Sequence, residues 1–116
     1  MKIFGVSQSS GTERQLKVER GIDGVVLTLT DHVGSVEMGR IKVNGDALIG
    51  AIMEPMKGGS IIDSIAQPQE AAKQLVVEVR RNEVLLQIQG EDGVGSDAAV
   101  GSDDLQDALE GVINRT

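Results

Sequence analysis

The chain of 116 residues is 40% hydrophobic and 25% charged, which suits one small domain with a buried core and excludes a multidomain enzyme. It has no Cys, so disulfides, thiol nucleophiles and thiolate metal sites are excluded, and no apolar run is long enough to span a bilayer. The residues before Ser7 are too few to hold a signal peptide's apolar region, so we expect a cytoplasmic protein.

The first half of the chain predicts four strands followed by a helix. Its apolar residues are mostly aliphatic, since Phe4 is the only aromatic residue, and the Val and Ile among them favour strands. Asp23-Gly24 supplies turn chemistry for a β-hairpin, and Pro55 disfavours helical geometry at the residue before it. The predicted elements are strands at 2–7, 15–20, 25–29 and 38–43 and a helix that Asp46 caps and that ends near Glu54.

The second half predicts the same order of elements. Leu75, Val77 and Val79 alternate as half-buried strand residues do, and Asp103 with Gln106 has capping-box spacing at the start of a helix. That helix carries one apolar stripe, formed by Leu105, Ala108, Leu109, Val112 and Ile113. The predicted elements are strands at 60–66, 74–81, 84–88 and 98–100 and a helix from Asp103 to Ile113.

An internal repeat relates the two halves. A shift of about 59 residues sets Arg14–Glu19 against Lys73–Glu78 and Val25–Leu29 against Val84–Ile88. A shift of about 57 then aligns the Val-x-x-Asp-x-Leu-x-x-Ala string that begins at Val43 with the one that begins at Val100. The sequence therefore predicts a tandem duplication, with one repeat at 1–57 and the other at 58–116.

The predicted fold is α+β, with two antiparallel sheets and two helices related by an approximate two-fold axis in a single domain. One unit of about 58 residues would be marginal alone, because so short a chain buries only about 60% of its unfolded surface. We therefore expect the two units to share one core.

The last strand and helix of each unit carry a family resemblance. Ile41–Leu48 and Val100–Leu105 look like the junction between last strand and helix in the PUR repeat and the related Whirly fold. The resemblance implies binding of single-stranded nucleic acid on a curved antiparallel sheet. Those families bind through basic residues and exposed aromatics, and no binding residue of theirs transfers to a position in this chain.

Charge is unevenly distributed along the chain, whose net charge is −7. Residues 1–57 carry seven basic and seven acidic residues, whereas residues 58–116 carry four basic and eleven acidic ones. Nucleic-acid binders need cations for phosphates and aromatics for stacking, so this composition disfavours nucleic acid and anionic membranes. A mixed-charge surface is the expected arrangement. The alternative is a local basic face on the first sheet, with candidate contacts Arg14, Lys17, Arg20, Arg40 and Lys42.

No catalytic constellation stands out in the sequence. His32 lies next to Asp31, but nothing fixes a nucleophile or an oxyanion site beside them, so we expect an exposed loop histidine. The run from Ser7 to Gly11 lacks the closing glycine of a nucleophile elbow, and Lys57–Ser60 has the wrong order for a phosphate-binding loop. We expect a non-enzyme that has no catalytic residue and binds no cofactor or metal.

Two further features have alternative interpretations. The acidic segment 91–97 does not match EF-hand spacing, so a solvated hairpin loop is expected, with weak cation binding as the alternative. Met53 and Met56 are expected to fill the core, with an adaptable contact surface as the alternative.

The functional hypothesis is a binding or assembly module that contacts a protein partner or a second copy of itself through its sheets. Sheet edges motivate it, since a duplicated sheet domain must pair, cover or charge them. The alternative hypothesis is single-stranded nucleic-acid binding, as the resemblance implies.

Overall fold

The computed structural model describes residues 2–55, 57–65, 71–90 and 95–113. These residues form eight strands and two helices in the order that the sequence predicts, which confirms an α+β fold with antiparallel strands. The elements are β1 Lys2–Val6, β2 Glu13–Arg20, β3 Val25–Asp31, β4 Glu37–Val43, α1 Gly45–Met53, β5 Ser60–Asp63, β6 Gln74–Arg80, β7 Glu83–Gln89, β8 Gly95–Gly101 and α2 Ser102–Ile113.

All eight strands belong to one antiparallel sheet, with the order β4-β3-β2-β1-β8-β7-β6-β5. The expectation of two separate sheets is therefore wrong, because β1 pairs with β8 through Gly5–Val100 and Val6–Ala99. Glycine is required at this pairing: a Cβ on Gly5 would lie 2.5 Å from the carbonyl oxygen of Ala99. The absence of a side chain at one residue thus allows the two halves of the sheet to join.

The sheet curls until it is nearly closed. The outermost strand β4 lies near β6, β7 and β8, across the interior of the sheet. The amide of Ile65, just after β5, donates a 2.8 Å hydrogen bond to the carbonyl oxygen of Lys42 in β4. This hydrogen bond therefore brings the chain after β5 onto β4 and covers part of the edge of β4.

One hydrophobic core fills the inside of the curled sheet. In β2, Leu16 and Val18 are buried while Lys17 and Glu19 are exposed, so alternate side chains face the core and the solvent. The helix α2 packs against β1, β2, β7 and β8, and α1 packs against β5, β6 and α2. We call the side of the sheet that faces away from the helices the outer face. Neither α1 nor α2, the helices of the described chain, is long and apolar enough to cross a membrane.

Several predicted boundaries differ from the observed ones. The cap of α1 is Asn44, not Asp46: Asn44 has an extended backbone, and its Oδ1 accepts a 2.9 Å hydrogen bond from the amide of Ala47. Asp103 lies inside the first turn of α2, where its charge suits the helix dipole. The strand β5 ends at Asp63, before the predicted end at 66, and β8 begins earlier than predicted, at Gly95.

Candidate functional site

A buried carboxylate holds the turn that follows β1 against β8. Asp97 is only 8% exposed, and its Oδ1 accepts hydrogen bonds from Ser7 Oγ at 2.8 Å and Ser9 Oγ at 2.7 Å. Its Oδ2 accepts from the amides of Gln8 at 2.8 Å and Ser9 at 3.3 Å. Four donors thus converge on one carboxylate across about ninety residues of chain. We call this arrangement the Asp97 clasp.

The environment of Asp97 favours its charged form. Burial raises the pKa of the carboxyl, but the hydrogen bonds from Ser9, Ser7 and the Gln8 amide outweigh burial, so the pKa lies below its ordinary value. Both carboxylate oxygens are occupied by hydrogen bonds from the turn after β1. The clasp therefore suits a structural role, in which it fastens the junction of β1 and β8.

The Asp97 clasp was not predicted from the sequence. Segment 91–97 was expected to be a solvated loop, but Asp97 lies in β8 and is buried, so that expectation is wrong for this residue. Residues 91–94 lie outside the described residues. The sequence signal for the clasp was the three serines among the four residues after Val6, which can donate hydrogen bonds to a carboxylate. Serine-rich turns are common in loops, so this signal did not indicate a buried partner.

The structure divides the five basic candidate residues between two sides of the sheet. Lys17, Arg40 and Lys42 alternate with core residues and lie on the outer face. Arg14 has the opposite strand parity, and its Nη1 donates to the carbonyl oxygen of Asp97 at 3.3 Å. Arg20, at the end of β2, lines a cleft beside the start of α1.

One row of residues across the outer face is rich in cations. Lys2 pairs with Lys17, Lys17 with Thr28, and Thr28 with Arg40, so three cations occupy one row across four strands. Glu19 lies next to this row and forms an ion pair with Lys17 at 3.5 Å. Because both partners are exposed, this ion pair contributes little stability.

Apolar side chains form a band on the same outer face, from the junction of β1 and β8 towards the sheet edge at β5. Phe4 is 68% exposed and Val6 is also exposed. Val6 forms a row with buried Ala99 and half-buried Leu85 on the two adjoining strands. Ile61, in β5, is 65% exposed and pairs with Val76. We call these six residues the outer apolar patch.

The other predicted site residues do not assemble into a reaction centre. His32 is exposed, as expected, and the Asp31 carboxylate accepts hydrogen bonds from Ser35 Oγ at 2.8 Å and from the Ser35 and Val36 amides. These bonds, chiefly the one from Ser35 Oγ, lower the pKa of Asp31 and close the loop after β3. In residues 2–55, 57–65, 71–90 and 95–113, no group of three His, Asp or Glu side chains could hold a metal ion.

The chain matches no protein-family model, no curated protein and no solved structure.

We expect Asp97→Asn to lower the free energy of unfolding near neutral pH by about 1–3 kcal/mol, because an acceptor of four hydrogen bonds is replaced by an amide. The pKa of Asp97 is lowered in the folded state, so its contribution is present above the unfolded-state pKa of about 3.9 and is lost as pH falls through the folded-state value. Urea unfolding of both proteins at about pH 7 and pH 3 measures this.

The difference in stability between wild type and Asp97→Asn should shrink in acid. Asp107→Asn, at an exposed position of α2, is the matched control and should change stability by less than about 0.5 kcal/mol. An equal difference for Asp97→Asn at both pH values would contradict the role assigned to the clasp.

Proposed function

We propose that this chain is a non-enzymatic binding and assembly module. It is a tandem duplication of one ββββα unit about an approximate two-fold axis, and its outer sheet face contacts a second copy of the chain or another protein. The outer apolar patch is the observation that carries the functional part of this proposal. The duplication rests on separate observations.

Strand pairing repeats with the predicted shifts. Lys2 pairs with Lys17, and 59 residues later Ile61 pairs with Val76. Gln15 pairs with Thr30, and 59 residues later Gln74 pairs with Gln89. Two copies of one unit would share this strand register in both hairpins of each half. Hairpins that are alike only in composition need not have the same register.

The two junctions between the halves also correspond. At one junction Val6 pairs with Ala99, and at the other the amide of Ile65 donates to the carbonyl oxygen of Lys42. These residues are related by the shifts of 59 and 57. Lys73 Nζ donates to the Arg40 carbonyl oxygen at 2.8 Å, as Arg14 donates to that of Asp97. Matching contacts at both junctions support a two-fold relation.

Two residues related by the shift of 57 touch each other inside the sheet. A Cβ on Gly39 would collide with Ser96 Oγ, and that buried hydroxyl has no hydrogen-bond partner among the described residues. Positions related by a two-fold axis can contact each other only close to that axis. The proposed axis therefore passes between Gly39 and Ser96.

Exchanging these two residues tests the proposed axis. Gly39→Ser alone should destabilise the fold by about 1–3 kcal/mol through overpacking, and Ser96→Gly alone should cost about 1 kcal/mol of strand stability. The double variant Gly39→Ser with Ser96→Gly should recover most of this loss, because the two sites are then merely interchanged. Urea unfolding of the four proteins gives the coupling free energy, and strictly additive losses would contradict the axis.

The outer apolar patch is the strongest indication of a protein contact. Exposed apolar residues occur singly on most surfaces, whereas a contiguous group on a sheet face is characteristic of an interaction site. Phe4 stands at one end of the patch and supplies the large rigid side chain typical of interface centres. Among the described strands only β4 and β5 have an edge without a strand partner, so the outer face is the larger surface.

Charge favours a second copy as the partner. On the outer face, strands β1–β4 carry four cations and three carboxylates. Without counting buried Asp97, strands β5–β8 carry three carboxylates and one cation, Arg80. A two-fold contact whose axis runs along the junction of β1 and β8 would place the β1–β4 half of each copy over the β5–β8 half of the other. The charges would then be complementary. Two convex faces meet over a small area, so weak association is expected.

We expect reversible dimerisation in sedimentation velocity experiments between about 5 and 200 µM protein, with a dissociation constant in the micromolar range. Phe4→Glu should abolish it by placing a charge in the patch. Ile22→Glu is the matched control, because Ile22 is 95% exposed at the tip between β2 and β3, outside the patch. A strict monomer at every concentration, together with no protein recovered by pull-down, would contradict the module.

Single-stranded nucleic-acid binding is the second candidate, and the cationic row favours it. Lys2, Lys17 and Arg40 lie in one row on the outer face, with Thr28 between Lys17 and Arg40, and Phe4 is exposed beside Lys2 for stacking. The net charge of −7 and the carboxylates among these cations weaken the attraction for phosphates.

Nucleic-acid binding predicts a rise in the fluorescence anisotropy of a labelled single-stranded oligonucleotide at low salt and tens of micromolar protein. Replacing Lys17 and Arg40 by Ala should then weaken binding about tenfold and reduce its salt dependence, because two phosphate contacts are removed. Arg81→Ala, at an exposed position between β6 and β7, is the control. Absence of any anisotropy change would exclude this candidate.

A further inference from the structure

A narrow apolar groove separates the two helices on the side of the molecule away from the outer sheet face. Its cavity has a volume of about 140 Å³ and an apolar floor. Its lining residues are Ile49, Ile52, Met53, Gln106, Leu109 and Glu110. The expectation that Met53 fills the core is wrong, because Met53 is 63% exposed on the rim of this groove, whereas Met56 lies outside the described residues.

Both helices that form the groove carry acidic residues and no basic residue. On α1 the acidic positions are Asp46 and, directly after the helix, Glu54; on α2 they are Asp103, Asp104, Asp107 and Glu110. Asp46, Asp103 and Asp104 are explained by the helix N-termini. Asp107, Glu110 and Glu54 lie outside the first turns of α1 and α2, so the helix dipole does not explain their presence.

We propose that this groove binds a basic amphipathic helix of a partner protein. An apolar side chain of that helix would enter between Ile49 and Leu109. Its Lys or Arg side chains would reach Glu110, which lines the groove, and the exposed Asp107 one turn earlier on the same helix. Exposed Met53 would adapt to the shape of the inserted side chain, as methionines do on surfaces that bind varied helices. Charge complementarity between the acidic side of α2 and the basic helix supplies the selectivity.

Other occupants fit the groove less well. A cavity of about 140 Å³ is well below the range of about 300–1,000 Å³ that is typical of small-molecule sites, so it accommodates a side chain and not a whole ligand. A second copy that docked with its own helix pair would bring two acidic surfaces together, which is unfavourable. The groove is therefore a different surface from the one proposed for self-association.

A synthetic helical peptide tests the proposal on the full chain. The probe is a fluorescein-labelled peptide of about 18 residues, long enough to form a helix, with Leu at every third or fourth position and Lys elsewhere. Fluorescence anisotropy at low salt should show saturable binding in the micromolar range, and binding should weaken at least tenfold in high salt. A peptide of the same composition in scrambled order should bind at least tenfold more weakly, since it presents no apolar stripe.

Matched variants locate the contact. Glu110→Lys should weaken binding about tenfold, whereas Asp63→Lys, the same charge reversal at an exposed position of β5, should change it less than twofold. Met53→Ala should weaken binding several-fold, and the exposed Ile22→Ala should not. Far-ultraviolet circular dichroism and thermal unfolding confirm that each variant is folded.

The proposal is overturned if wild type binds the patterned and scrambled peptides equally, if Asp63→Lys weakens binding as much as Glu110→Lys, or if no saturation occurs at about 100 µM protein. Phe4→Glu distinguishes the two proposed surfaces, because it should abolish dimerisation and leave peptide affinity unchanged. Loss of peptide binding in Phe4→Glu would likewise overturn the groove as the site.

Discussion

The pairing of β1 with β8 is the constraint on which the rest of the structure depends. It comprises only two residue pairs, yet it joins two runs of four strands into one sheet around one core. Without it, each run would present an unpaired edge, and the interior would open between them. Gly5 permits the close approach of the two strands, and the Asp97 clasp fastens the turn that follows. A short junction is thus reinforced where its own hydrogen bonds are few.

Near closure of the sheet decides which surfaces remain for partners. Hairpin pairing occupies the inner strands, and the contact between Ile65 and Lys42 covers part of the last free edge. The convex outer face and the helix pair are therefore the two large surfaces left. They differ in chemistry, since the outer face combines an apolar patch with charges of both signs and the helix pair combines an apolar groove with carboxylates alone. Such a division is better suited to two different partners than to one.

Local features of the sequence predicted most of the elements, and long-range features were not predictable. Alternation and turn residues depend on neighbours in the chain, so the strands and both helices were found, with errors of a few residues at their ends. Asn44 and Asp46 are equally good caps by type, and only the extended backbone at Asn44 decides between them. The β1–β8 pairing and the Asp97 clasp join residues about ninety positions apart, and no local pattern encodes that pairing.

Under the proposed duplication, the cationic row Lys2, Lys17, Thr28 and Arg40 corresponds to Ile61, Val76, Gln87 and Asp97 in the second half. The backbone pairing of the two rows is the same, whereas the three cations of the first row correspond to two apolar residues and a carboxylate in the second. Core positions that correspond, such as Leu16 and Leu75, stay apolar because both face one shared interior. Outer-face positions are free of that requirement, so two copies can diverge there without loss of folding. The difference between the two rows, more than the unit they share, is therefore where we expect the binding specificity of this chain to reside.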